Sequence, residues 1–124
     1  MELTRRQIGS VLVLEFAESV TLEGDSSAHF KEKIRGLIGE GRKSLVIDMG
    51  RVGFIDSSGL GSLISALKVL RADGGDLKLA NIGEQVYSVL EITRLLRVFD
   101  TYESSEQALE AIESVEALGA SGKQ

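Results

Sequence analysis

The feature that most constrains the fold is a nearly continuous apolar run at residues 11–16, which read Val-Leu-Val-Leu-Glu-Phe. A strand with one face in water alternates apolar and polar residues, whereas a run without alternation is typical of a strand covered on both faces. Residues 45–47 form a second, shorter run, and residues 77–80 are predicted as another strand. Because such strands need helices above and below the sheet, the pattern predicts an α/β domain.

Between the strands, apolar residues recur with the period of an amphipathic helix. The clearest stripe consists of Leu60, Leu63, Ile64, Leu67 and Leu70. An earlier stripe consists of Phe30, Ile34, Leu37 and Ile38. Asp25 or Ser26 is the predicted cap of this earlier helix, and Gly39 and Gly41 are predicted to end it. A third helix is predicted at about residues 84–92.

The C-terminal part of the chain contains one more strand and one more helix. Residues 98–102 are predicted as the last strand. Ser104 and Gln107 form a capping-box pattern that predicts the start of the last helix. Residues 119–124 are small and polar, and we expect them to form a disordered tail.

The predicted order is β-β-α-β-α-β-α-β-α, which indicates a single α/β domain over residues 3–118 with about four helices. Its sheet would be mixed but mostly parallel, with an antiparallel N-terminal hairpin of residues 3–8 and 11–16. The state of residues 19–24 is left open by the pattern.

Composition narrows the possible functions. The chain has no cysteine, which excludes a disulfide framework and a thiolate metal site. Its 14 basic and 19 acidic side chains give a net charge of −5, which disfavours direct binding of nucleic acid. The N-terminus lacks an apolar signal core, and no apolar run approaches the ~20 residues of a membrane span. These features suit a cytoplasmic protein.

The segment with the most chemical information is Asp56-Ser57-Ser58-Gly59-Leu60-Gly61, at the start of the clearest helix. Its side-chain oxygens can accept hydrogen bonds from the first amides of that helix, and a helix N-terminus favours added negative charge. Its glycines allow close approach of another molecule or of a phosphoryl group. The pattern alone is equally met by a helix cap with glycines that serve close packing.

Residues 54–61, Phe-Ile-Asp-Ser-Ser-Gly-Leu-Gly, resemble the signature of the STAS domain as found in bacterial anti-sigma factor antagonists. The similarity extends to strand order and helix placement over roughly residues 3–118. In that family the serine directly before the glycine is phosphorylated, and here this serine is Ser58. The resemblance also implies motif and partner-binding roles for Asp56, Ser57, Gly59, Leu60 and Gly61.

The resemblance implies a partner-switching cycle that needs no cofactor. The unmodified protein would bind an anti-sigma factor, usually a serine kinase, and so free a sigma factor for transcription. The kinase would phosphorylate Ser58 and break the complex, and a phosphatase would reset Ser58. Alternative roles in the family are a subunit of a lipid-transport ATPase and a part of a stress-sensing assembly.

One segment departs from the family pattern. The family commonly has Gly-Glu-Leu-Asp after the second strand, with the aspartate near the phosphorylated serine. This chain has a longer acidic segment at residues 18–25. Glu23 is the best match for the acidic position and Asp25 the second.

The sequence lacks the residues that the common enzymatic motifs require. No serine lies in a Gly-x-Ser-x-Gly frame, and Leu60 follows Gly59 where a phosphate-binding loop needs lysine. The only histidine, His29, is interpreted as a surface residue, and Asp48 as a structural residue at the end of a strand. We therefore expect no catalytic residue, no metal site and no enzymatic activity.

Overall fold

A computed structural model describes residues 1–122, with side chains through residue 114. The strands are β1 (Leu3–Ile8), β2 (Val11–Phe16), β3 (Val20–Leu22), β4 (Ser44–Asp48), β5 (Val52–Ile55), β6 (Asp76–Ala80) and β7 (Asp100–Tyr102). The helices are α1 (Asp25–Gly39), α2 (Ser57–Ala72), α3 (Glu84–Ile92) and α4 (Ser105–Gly122), with a single 3-10 turn at Leu95–Arg97.

The main sheet has five strands in the order β1-β2-β4-β6-β7. Only β1 is antiparallel to its neighbour, and the other pairs run parallel. The register places Leu12 beside Leu45 and Leu45 beside Leu77, so the central strands share one buried row. The predicted α/β fold, its mostly parallel sheet and its N-terminal hairpin are confirmed.

A second sheet of two parallel strands, β3 and β5, positions the motif. Leu22 pairs with Ile55, and the amide of Asp56 donates to the carbonyl of Leu22 at 3.0 Å. Sequence analysis left residues 19–24 open, because a strand of three residues is too short to show a period. The result is that the end of β3 lies directly beside the start of α2.

Helices cover the main sheet on both faces. The larger apolar cluster joins α1, α2 and α3 to the sheet, and Phe30, Leu45 and Leu63 within it are completely buried. A smaller cluster joins the opposite face to α4 through Ala108, Leu109 and Ile112. This two-sided covering explains the nearly continuous apolar run of β2.

Two local predictions were wrong. Neither Asp25 nor Ser26 caps α1, because the cap is Gly24 with φ of 52° and Asp25 is the first helical residue. The Ser26 hydroxyl instead bonds to the carbonyls of Thr21 and Glu23. The last strand begins at Asp100 rather than at residue 98, since the 3-10 turn occupies the preceding residues.

The other predicted helix boundaries agree better with the structure. Helix α1 ends at Gly39 and α3 spans Glu84–Ile92, as predicted. The Ser104 hydroxyl accepts from the amide of Gln107 at 3.2 Å, which confirms the cap of α4. Of the predicted tail at residues 119–124, the first four fall within α4 and the last two lie outside the described residues, so the tail stays a prediction.

Candidate functional site

Asp56 fixes the geometry of the motif because it caps α2. Its backbone is extended, with φ of −101° and ψ of −175°, and its Oδ1 accepts from the amide of Gly59 at 3.0 Å. Its carbonyl accepts from Leu60 at 3.0 Å and so begins the helical hydrogen bonds. Aspartate is among the preferred residues at this position, since its side chain satisfies an amide that the helix leaves unpaired.

Ser58 lies exposed in the first turn of α2, and its hydroxyl donates to Oδ1 of Asp56 at 2.6 Å. This bond is the largest cause that lowers the pKa of Asp56 below its ordinary value, followed by the bond from the Gly59 amide. The backbone amides of Gly24 and Ser58 lower that pKa further. Asp56 is therefore ionised at neutral pH, and it orients the Ser58 hydroxyl. Ser57, beside it, is also exposed.

The two glycines of the motif have different surroundings. Gly59 is buried, and a Cβ built there would lie 2.7 Å from Cγ1 of Ile55 and 2.9 Å from the carbonyl oxygen of Leu22. Gly61 is exposed, and its Cβ would meet nothing within 4 Å. The space at Gly59 thus serves the chain's own contact between α2 and β3.

The predicted site residues therefore form two groups. Ser57, Ser58 and Gly61 are exposed and Asp56 is half-buried, so these four can meet another molecule. Gly59 is buried, and Leu60 belongs to the core with 7% exposure.

Glu23 is brought next to the motif by β3. It is exposed and lies between Leu22, whose carbonyl binds the Asp56 amide, and Gly24, whose amide contributes to the Asp56 pKa. Its own amide donates to Ser26 Oγ at 3.0 Å, which holds this turn in place. Glu23 thus lies in the chain between the two residues that contact Asp56.

Ser62 is a contributor that sequence analysis missed. It is 6% exposed, and its hydroxyl donates to the carbonyl of Ser58 at 3.0 Å and lies 3.5 Å from the carbonyl of Ser27 on α1. The signal in the sequence was a serine four residues after Ser58 on the apolar face of the helix. Ser62 therefore links the first turn of α2 to α1.

The residues considered for other chemistry have ordinary roles. Oδ1 of Asp48 accepts from the amide of Gly50 at 2.9 Å and from Nδ2 of Asn81 at 3.2 Å, which fits the predicted structural role. His29 is exposed, as predicted. In the described part of the chain, no group of three or more His, Cys, Asp or Glu side chains could hold a metal ion. None of the helices described is both long and apolar enough to span a bilayer.

Sequence comparison assigns the chain to a known family. The family model of the STAS domain matches residues 2–108, and the chain therefore belongs to the STAS domain family. A curated relative is the anti-sigma-B factor antagonist of Bacillus subtilis, 34% identical over 70 residues. That match includes 56% of this chain and 63% of the length of the relative.

Solved structures with the same fold include proteins of different roles. An anti-sigma factor antagonist from Mycobacterium paratuberculosis gives a TM-score of 0.80 at 20% identity, over 90% of this chain and 93% of that one. The Bacillus antagonist SpoIIAA gives 0.76 in its unphosphorylated form, at 20% identity over 91% and 97% of the two chains. Its phosphorylated form gives 0.68 at 19% identity, over 90% and 99%. A sulfate transporter family protein from Wolinella succinogenes gives 0.72 at 16% identity, over 89% and 90%.

Proposed function

We propose that this protein is a phosphorylation-controlled switch that binds an anti-sigma factor in the cytoplasm and so frees a sigma factor. In this proposal the anti-sigma factor is a serine kinase that phosphorylates Ser58, and a phosphatase resets it. The protein itself catalyses no reaction. The observation that carries the proposal is the exposed Ser58 hydroxyl, held by an ionised Asp56 at a helix N-terminus.

The hydrogen-bond geometry favours Ser58 over Ser57 as the modified residue. Ser58 is oriented by the 2.6 Å bond to Asp56, whereas among the described hydrogen bonds no side-chain bond orients the hydroxyl of Ser57. A kinase needs its acceptor hydroxyl in one defined position, because phosphoryl transfer depends mainly on positioning.

Phosphorylation of Ser58 should leave the fold intact. A phosphate adds about −1.5 to −2 charges at neutral pH, and the α2 dipole favours that charge by roughly 0.3–1 kcal/mol. Opposing this, the Ser58 ester has no proton to donate to Asp56, and the two anions repel one another. Asp56 still accepts from the amide of Gly59, so the cap of α2 persists. These local effects are opposed and small, so we expect the stability to change by no more than ~1 kcal/mol.

The same phosphate should break a protein complex formed at this surface. The exposed residues of the motif and Glu23 are neutral or acidic, so a partner that covers them meets a dianion that these residues do not neutralise. An uncompensated buried charge costs several kcal/mol. Since each 1.4 kcal/mol is a factor of ten, the affinity should fall by roughly a hundredfold or more.

The test is to incubate the chain with each anti-sigma serine kinase encoded in the source genome and with ATP, and to locate phosphate by mass spectrometry. We expect phosphate on Ser58, none in Ser58→Ala, and unchanged labelling in Ser57→Ala. Ser58→Ala should also bind the kinase in the presence of ATP, when the unmodified sequence is released. Phosphate on Ser57 would move the switch by one residue. Labelling of neither serine, together with recovery of only transporter subunits in a pull-down, would contradict the proposal.

A further inference from the structure

A groove between α1 and α2 lies beside the switch serine. It has a volume of about 130 Å³, and its walls are Ile34, Ile38, Ala66 and Val69. Val69 is 50% exposed, so the groove presents an apolar side chain to solvent. The groove therefore offers apolar surface that the described part of the chain leaves uncovered.

The groove continues directly from Ser58 along one ridge of α2. Residues four and seven or eight apart lie on the same helix face, so Ser58, Ser62, Ala66 and Val69 follow one another. Ser62 is both a wall of the groove and the donor to the Ser58 carbonyl. From Ser58 to Val69 the distance along the helix axis is only ~16 Å at 1.5 Å per residue.

The exposed residues of the motif are too few to form a stable interface by themselves. Specific complexes bury about 800 Å² on each partner, from some 20–30 residues. An interface centred on Ser58 must therefore extend over neighbouring surface, and the concave surface that adjoins it along α2 is this groove.

The charge at the rim indicates what kind of partner fits. Lys31 and Arg35 of α1 line the groove on a protein whose net charge is −5. Arg35 bridges Glu32 at 3.1 Å on the exposed helix face, and within the described part of the chain Lys31 is in no ion pair. A carboxylate on the partner would find Lys31 available.

The volume indicates how much of the partner enters. A cavity of about 150 Å³ holds one benzene molecule, so this groove accepts a single large apolar side chain. Interface hot spots are a few anchoring side chains in well-packed, desolvated pockets, and a groove of this size suits one such anchor.

We propose that the groove between α1 and α2 is the second half of the partner surface, and that it takes one apolar side chain of the anti-sigma kinase flanked by a carboxylate that pairs with Lys31. This proposal rests on the proposed function, because it names how the partner that reads Ser58 is held. The Ser58 end reports the phosphorylation state, whereas the groove supplies binding that does not depend on phosphate.

The probe for the test is the purified serine kinase that labels Ser58 in the screen above. Its binding to the unphosphorylated chain is measured by surface plasmon resonance for Val69→Asp, Lys31→Glu and Ile92→Asp. Ile92, on α3, is the matched control, because it is an exposed apolar residue outside the groove with 81% exposure. Circular dichroism melting curves establish that all three variants fold.

We expect Val69→Asp to weaken binding at least tenfold, mainly through faster dissociation. Lys31→Glu should slow association severalfold, with a smaller dependence on salt, because a rim charge acts on the encounter. Ile92→Asp should change the affinity less than twofold. As a second measurement, a fluorophore on Val69→Cys, the only thiol in that variant, should shift to the blue when the kinase binds.

The outcomes separate this proposal from the proposed function. A kinase that labels Ser58 but binds Val69→Asp as tightly as the unchanged chain overturns the groove and leaves the switch intact. Loss of binding in Ile92→Asp alone would place the second half of the surface on α3 and also overturn the groove. If no kinase labels Ser58, the proposed function fails and the groove proposal fails with it.

Discussion

Replacing Gly59 and Gly61 with alanine should change stability in opposite directions, although the two positions are two residues apart on one helix. Alanine in a helix interior is favoured over glycine by about 0.5–1 kcal/mol. At Gly61 nothing lies within 4 Å of the new methyl group, so Gly61→Ala should gain that full amount. At Gly59 the same gain is opposed by contacts of the methyl group with Ile55 and Leu22.

The size of the opposing effect follows from the distances. The methyl carbon would lie 2.9 Å from the Leu22 carbonyl oxygen and 3.1 Å from its Cβ, against ordinary contacts of 3.4–4 Å. The carbonyl is fixed by its bond from the Asp56 amide, so α2 must move away from β3. Overpacking of this kind costs about 1–3 kcal/mol, and a strained Asp56 cap adds up to ~1 kcal/mol. We expect Gly59→Ala to lose about 1–2 kcal/mol net.

Urea unfolding followed by circular dichroism measures both variants against the unchanged chain. The midpoints should move in opposite directions at constant m-value, with a gap of about 2 kcal/mol between the two variants. Equal stability of Gly59→Ala and Gly61→Ala would refute the reasoning, because it would mean that the approach of α2 to β3 does not require glycine.

Two further predictions concern charged side chains. Asp56→Ala should lose ~1 kcal/mol of stability, because it removes the cap, and should also lower the rate of Ser58 phosphorylation. The control in both assays is Asp73→Ala, which removes the same charge from the other end of α2. An equal loss of phosphorylation rate in this control would contradict the prediction. Lys78→Met should cost about 1–2 kcal/mol in urea unfolding, less than for a fully buried pair, because the bonded carboxylates of Asp76 and Asp100 keep 30% and 52% of their exposure. Burial opposes ionisation of both Lys78 and Asp76, but their hydrogen bonds prevail and the pKa of Lys78 is raised while that of Asp76 is lowered. The stability from Asp76 is thus present above its ordinary pKa of about 3.9 and lost as the pH falls below it, and that from Lys78 is present below about 10.4 and lost as the pH rises further. Melting curves from pH 2 to 11 should show both losses, and Lys78→Met should flatten them; an unchanged pH profile in that variant would show that the pairs contribute nothing.

The overall architecture could be predicted because the sequence patterns that indicate it extend over many residues. The run of β2 and the stripe of α2 repeat over many residues, and each reports burial directly. The motif could also be recognised, since the capping residue and the amide that donates to it are neighbours in sequence. Thus Asp56 and Ser58 were found together by pattern, and the hydrogen bond between them follows from their spacing.

The parts that sequence analysis missed depend on contacts between distant segments. The sequence indicated that Gly59 allows close approach, but it did not indicate that Leu22 is the residue that approaches it. Likewise, the pairing of β3 with β5 and the link from Ser62 to Ser27 join residues more than 30 positions apart. A single sequence contains no periodic pattern that indicates contacts between such distant residues. The cap of α1 was misassigned because Asp25 and Ser26 are good cap residues, whereas the cap lies one residue earlier at Gly24 and the Ser26 hydroxyl bonds to the carbonyls of Thr21 and Glu23.

The pairing of β3 with β5 also bears on when the site exists during folding. Leu22 and Ile55 are far apart in the chain, and closing such a loop carries an entropic cost that local helix formation does not. Most helical stability in proteins comes from tertiary packing, so we expect the first turn of α2 to become ordered only after this long-range pairing. A nascent or denatured chain therefore lacks the oriented Ser58 hydroxyl. Under the proposed switch, a kinase that needs this oriented hydroxyl would phosphorylate only chains that have completed their fold.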